Sequence, residues 1–139
     1  MTEISVSTVS YQAEKRPWLL SEHGTRPGEN PGATLDAALF VPATHYPNGY
    51  IPSGIVLGKV TASGLFGPYD TAALDGRQTA AGLLFGSLRV SSATAKVGGA
   101  LVLTGFVKTT RLPFQSGTGA LGAGGAANMP LINFSADGT

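Results

Sequence analysis

The stretch YDTAALDGRQTAAGLLFGSLRV, Tyr69 to Val90, sets two carboxylates and a guanidinium close together in the chain: Asp70, Asp75 and Arg77. Residues of these types could exchange a proton in acid–base catalysis. That chemistry needs a pocket, a raised pKa on one carboxyl and a partner that orients it. The neighbouring residues point to another use. Pro68 and Tyr69 precede Asp70, and Gly76 follows Asp75. Asp-Gly forms turns because Asp tolerates unusual φ and bonds the backbone ahead of it. We read Asp75-Gly76 as a structural turn that sets the register of Thr79–Phe85, and no residue as catalytic. Arg77 is then the charge left with another role, such as an ion pair between subunits.

The remaining chemistry-bearing residues are sparse. His23 lies in a Pro-rich segment and His45 in a Tyr/Pro loop, and both are expected to be solvated. Two histidines without cysteine, among singly scattered acids, form no recognisable metal-ligand spacing, so no metal site is expected. The absence of cysteine also removes disulfides and thiol nucleophiles. No G-x-S-x-G elbow is present to expose a serine nucleophile. GTGALG, Gly117 to Gly122, matches G-x-G-x-x-G literally. The dinucleotide fingerprint requires a strand before it and a helix after it. Pro113 precedes this copy and Met129-Pro130 follows, so a surface loop is expected and no cofactor.

These residues must be positioned by an organisation that changes near residue 35. Within residues 1–34, EISVSTVSYQ alternates loosely, with Ile4 and Val6 on one side. Pro17, Pro27 and Pro31 then punctuate the chain, each lacking a donor and pushing the residue before it toward extended geometry. This segment is expected to be an extended arm. It carries Trp18, Leu19 and Leu20, which a plain linker would not. Trp18 could anchor a partner protein or fold back onto its own domain, and the sequence leaves both open. Trp18 beside Lys15 and Arg16 could stack on a nucleic-acid base, but one aromatic is too few for a binding track.

Residues 35–139 are expected to form a mainly β domain with short strands and one or two helical turns at most. GIVLGKVTASG is β-branched and almost continuously apolar, as in a strand buried on both faces. TAAGLLFGSLRV is a second such run. ALVLTGFVKTTRL alternates and is expected as one strand, with Leu101, Leu103 and Val107 on one face and Val102, Thr104, Phe106 and Lys108 on the other. Asn48-Gly49 suits a turn of positive φ. QSGTGALGAGGAAN is expected as a loop and MPLINFSA as a last strand.

The bulk composition fits a contact protein. Charged residues are 12% of the chain, against about 25% in ordinary domains. Little charge is therefore present to cover the surface, and sizeable apolar patches usually mark contact with another protein. Seven acids and four bases precede Gly76, whereas Arg77, Arg89, Lys96, Lys108 and Arg111 follow with no acid before Asp137. Scattered bases without clustered aromatics do not make a nucleic-acid footprint; a mildly basic face toward an acidic partner is expected. No apolar run approaches the ~18 residues of a membrane span, and MTEISVSTVSYQAEKRPW has no apolar leader core, so neither membrane insertion nor export is expected.

Ile51 to Leu84, IPSGIVLGKVTASGLFGPYDTAALDGRQTAAGLL, resembles the core of the tailed-phage head decoration proteins, the lambda-type capsid-stabilising family. The family's G-x-V-L-G-x-V strand corresponds to Gly54–Val60, its Y-D loop to Tyr69-Asp70, and its D-G-x-x-x-A-x-G turn and strand to Asp75-Gly76 through Ala80 and Gly82. A later G-x-x-x-x-x-G-x-V pattern corresponds to GALVLTGFVKTTRL. The resemblance covers roughly residues 35 to 112, and departs in the longer arm and in the Gly/Ala loop with its final strand.

The resemblance implies a β-clip-like domain forming a homotrimer on the outer surface of the virion capsid, at three-fold and quasi-three-fold positions. It implies that the arm, through Ile4, Val6, Trp18, Leu19 and Leu20, reaches onto the major capsid protein. Such a cement protein stabilises the expanded head against internal DNA pressure, without catalysis, cofactor, membrane or direct nucleic-acid contact, and is made in the host cytoplasm. The main rival is a trimeric carbohydrate-binding or host-adhesion module, which needs exposed aromatics such as Tyr46, Tyr50 and Tyr69. A third reading is a small hydrolase using Asp70, Asp75 or His45.

Overall fold

A strand sends successive side chains to opposite faces, so a continuously apolar strand needs cover on both. The computed structural model, which describes residues 18–20, 30–121 and 125–135, supplies two layers of cover. Its strands in chain order are β1 (Gly32–Asp36), β2 (Tyr50–Ile51), β3 (Val56–Lys59), β4 (Phe66–Pro68), β5 (Ala80–Leu84), β6 (Leu88–Arg89), β7 (Lys96–Val102), β8 (Gly105–Lys108) and β9 (Ile132–Ser135). Two single-turn helices, α1 (Pro42–His45) and α2 (Gly125–Asn128), and two 3-10 turns, Ala37–Leu39 and Thr109–Arg111, complete the described elements. The domain is mainly β with little helix.

Five strands close a barrel in the order β1-β4-β3-β5-β7, with β7 returning to pair with β1. All pairings in the barrel are antiparallel except β1 with β4. Leu35, Leu57, Phe66, Leu84 and Leu101, one from each barrel strand, belong to one apolar cluster and fill its interior. Their chain neighbours Val56, Leu83 and Val102 point the other way, into a second cluster with Trp18, Val107, Leu112, Met129 and Ile132. The alternation thus puts β3, β5 and β7 between two cores. This is the physical reason for the uninterrupted apolar runs in IVLGK and AAGLLF.

The second core is roofed by a small sheet in which β8 pairs in parallel with β9. ALVLTGFVKTTRL is therefore not one strand, as its alternation suggested. It divides because its halves have different partners: β7 pairs with β1 and β5, and β8 pairs with β9. The last strand expected in MPLINFSA is β9. The barrel opens at Gly32, within the segment read as arm, because Gly32–Asp36 pair residue by residue with Lys96–Ala100.

Candidate functional site

The Asp75-Gly76 turn is built as its residue types suggest. Gly76 has φ +117°, a conformation that L side chains rarely adopt. A Cβ there would collide with the Lys59 carbonyl and lie 2.5 Å from Thr61 Oγ1. The Asp75 carboxylate accepts from the Arg77 backbone N–H at 3.2 Å and from Arg77 Nε at 3.1 and 3.2 Å. The backbone N–H of Arg77 and then its guanidinium favour the ionised form and hold the Asp75 carboxyl below its ordinary value. The Asp75 carbonyl accepts from the Thr61 N–H at 2.8 Å, which ties the turn to the chain leaving β3. Arg77, read as a charge for a second subunit, is paired here within its own turn.

Asp70 makes a turn of the same kind, accepting the Ala72 N–H at 3.0 Å. Neither Asp70 nor Asp75 is a partner of His45, so the residues of the hydrolase reading do not converge. Among the described residues, no group of three or more His, Asp or Glu is placed to hold a metal.

His45 corrects an expectation. It is 1% exposed, not a solvated loop histidine. Its Nδ1 accepts the Val41 N–H at 2.8 Å, and its Nε2 faces Thr118 Oγ1 at 3.0 Å. The Phe40 and Phe114 rings stand T-shaped to the imidazole, with centroids at 5.6 and 5.4 Å. The tertiary position of Phe114 and Thr118 could not be read from HYPNG, which looks like an ordinary loop. His23 lies outside the described residues.

The Gly/Ala loop is packed against the barrel. The Gly119 N–H donates to the Tyr69 carbonyl, and the Gly119 carbonyl accepts from the Val56 N–H, at 2.8 and 2.9 Å. The loop thereby stitches the start of β3 to the residue after β4, and a nucleotide has no strand–loop–helix frame here. Tyr69 is buried in the second core and Tyr46 in the barrel core. With Tyr50 largely covered, these three tyrosines form no exposed aromatic face, the feature on which the adhesion reading rested.

The residues read as arm anchors divide. Ile4 and Val6 lie outside the described residues. Trp18 is 1% exposed and sits in the second core of its own domain. The Trp18 carbonyl accepts from the Lys108 N–H at 2.8 Å, Leu19 bridges Val107 in antiparallel fashion, and the Leu20 N–H donates to Phe106 O at 3.0 Å. Trp18–Leu20 therefore runs antiparallel along the edge of β8 as one isolated β-bridge, opposite β9. Main-chain bonds of this kind need no particular side chains, so the sequence alone could not show them. Leu20 and Phe106 together leave apolar surface at this edge.

The geometry thus describes a closed barrel with a capped second core and a leading segment rooted at Trp18, and among the described residues it gathers no recognisable catalytic group. No described helix is long and apolar enough to cross a membrane. No curated protein matches the chain, and no solved structure matches it. The sequence model of one family, described as the bacteriophage lambda head decoration protein D, matches residues 29–128. That family is one of structural capsid components, and the matched span runs from just before β1 through α2, so it takes in the whole barrel, the Asp75-Gly76 turn and the Gly/Ala loop. The chain belongs to the bacteriophage lambda head decoration protein D family.

Proposed function

We propose that the chain is a cement protein that binds the outer surface of the expanded phage head as a homotrimer, at three-fold and quasi-three-fold positions, and holds the shell against the pressure of packaged DNA. Family membership over residues 29–128 carries this reading. Association with a phage capsid follows from that family, and the major capsid protein is the partner we assign.

The clamp works through the leading segment. Residues 1–17, with Ile4 and Val6 on one side of an alternating stretch, would add a strand to an exposed sheet edge of the capsid protein, where main-chain hydrogen bonds supply affinity. Fixing a chain segment on docking costs conformational entropy, so a single such contact binds weakly. Three arms in one trimer raise the avidity by roughly 10²–10⁴ without any new kind of contact. The root at Trp18 is what makes the arm mechanically useful: tension on residues 1–17 passes into the second core, not into a loose tether. Leu20, Leu74, Phe106 and Leu131 are among the large apolar residues left exposed, and we assign them to contact with neighbours.

The test is to mix the purified protein with undecorated shells before and after expansion, and to measure co-sedimentation and the mass of the free protein. Binding confined to expanded shells, by a species of three chains, is the expected result. A monomer that binds neither shell would end this reading.

A further inference from the structure

His45 sits where two otherwise separate parts of the chain meet. Its own backbone N–H donates to the Val41 carbonyl at 2.7 Å, and the Val41 N–H returns to its Nδ1 at 2.8 Å. Since Nδ1 accepts a hydrogen bond, the neutral ring carries its proton on Nε2. That N–H donates to Thr118, whose Oγ1 and carbonyl oxygen lie at 3.0 and 3.2 Å. Thr118 is followed by Gly119, whose two backbone bonds stitch β3 to the residue after β4. Gly119 itself packs close to the ring: a Cβ there would stand 3.7 Å from His45 Cδ2. One imidazole thus connects α1 to the Gly/Ala segment, independently of any capsid contact.

We propose that His45 is an acid-sensitive pin: protonation of its ring frees the segment 117–121 from the barrel while the barrel itself stays closed.

Among the described residues that face the ring, no acid stands ready to stabilise its protonated form. The ring is faced by Phe40 from the chain before α1, by Val41 from the start of α1, and by Phe114, Thr118 and Gly119 from the segment after β8. None of these carries a charge. The adjacent titratable group on the chain is Tyr46, whose hydroxyl is buried with no hydrogen-bond partner among the described residues. A second proton would sit on Nδ1, pointing at the Val41 N–H, so two donors would meet and Val41 would lose its acceptor. The resulting cation would be held between two uncharged phenylalanine rings, out of water.

Burial pushes the ring below its ordinary value of 6.5, and the bond to Thr118 opposes this only in part. The closed segment therefore binds a proton less readily than the open one. Closure is fully stable above about pH 6.5 and weakens as the pH falls below it. At pH 5, opening can increase by up to about thirtyfold for an open-state imidazole of ordinary pKa ~6.5.

The experiment uses the full chain with His23→Gln, so that one imidazole is observed. ¹⁵N NMR reports the tautomer and titration of His45. Amide hydrogen exchange, corrected for intrinsic rates, reports the Gly119 and Val56 N–H groups against Leu84, whose N–H is bonded to Ile55 within the barrel. The expected result is an Nε2–H tautomer at pH 7.5, and protection at Gly119 and Val56 that falls on the way to pH 5 while Leu84 keeps its own. Adding His45→Asn, which retains an acceptor for Val41 but cannot reach Thr118, should leave the segment loose at both pH values; if that variant fails to fold, the His23→Gln protein alone still decides. A constant protection ratio between Gly119 and Leu84, or loss of both together, would overturn the proposal.

Discussion

The Trp18 indole occupies a slot that exists because residue 54 has no side chain: Nε1 stands 2.7 Å from the point where a Cβ on Gly54 would begin. Pro113 Cδ closes the same slot at 3.0 Å from that point. A residue 36 positions away in sequence from Gly54 is thereby fixed to the domain, and with it the place from which residues 1–17 depart.

Removing that indole should be costly. Trp18→Ala is expected to lower the unfolding free energy by about 3–5 kcal/mol, the usual range for emptying a buried aromatic site. Gly54→Val should destabilise as well, since it fills the slot and forces a residue with φ +89° out of its conformation. Denaturant unfolding of the isolated protein measures both. Deleting residues 1–17 ahead of Trp18 should leave the unfolding midpoint nearly unchanged, which separates the root of the arm from the arm itself.

Gly76→Val is expected to cost about 3 kcal/mol or more, from unfavourable φ and collision with backbone that cannot move independently. Asp75→Asn keeps an oxygen for the Arg77 N–H and should fold and assemble normally. Because the Asp75 carboxyl is held below its ordinary 3.8, its contribution is present above that pH and is lost as the pH falls further, through its folded value. The acid limb of a stability–pH curve, compared between the wild-type protein and Asp75→Asn, should differ only there. A stable trimeric Gly76→Val would contradict the structural role of the turn.

Asn128 at the end of α2 accepts the Ala80 N–H at 3.1 Å, at the first residue of β5. Asn128→Ala leaves that donor without its partner and should cost about 1–3 kcal/mol. Faster amide exchange at Ala80, with Leu84 protected as before, would locate the loss.

How far the chain could be read in advance depended on whether a signal was local. β3 and β5 were legible because burial on both faces writes itself as an unbroken apolar run, in IVLGK and AAGLLF. Asp75-Gly76 was legible because the turn's conformation is a property of its own two residues. β7 and β8 were not separable, since their alternation is the same on either side of the break and only the change of partner divides them. His45 looked solvated because its burial comes from Phe114 and Thr118, about 70 residues away. Trp18 was ambiguous for the same reason: an indole among prolines is apolar wherever it is placed, and the slot beside Gly54 is formed by tertiary contact. The buried tyrosines were not legible either, because Tyr46 joins the barrel core and Tyr69 the second core through tertiary packing alone.

The clamp through residues 1–17 is tested most directly by the affinity of expanded, undecorated shells for the full chain and for a chain beginning at Trp18. Decoration through three cooperating arms predicts that the shorter chain folds and trimerises but binds at least about 100-fold more weakly. Equal binding by the two chains would place the contact on the barrel and contradict the arm as the clamp.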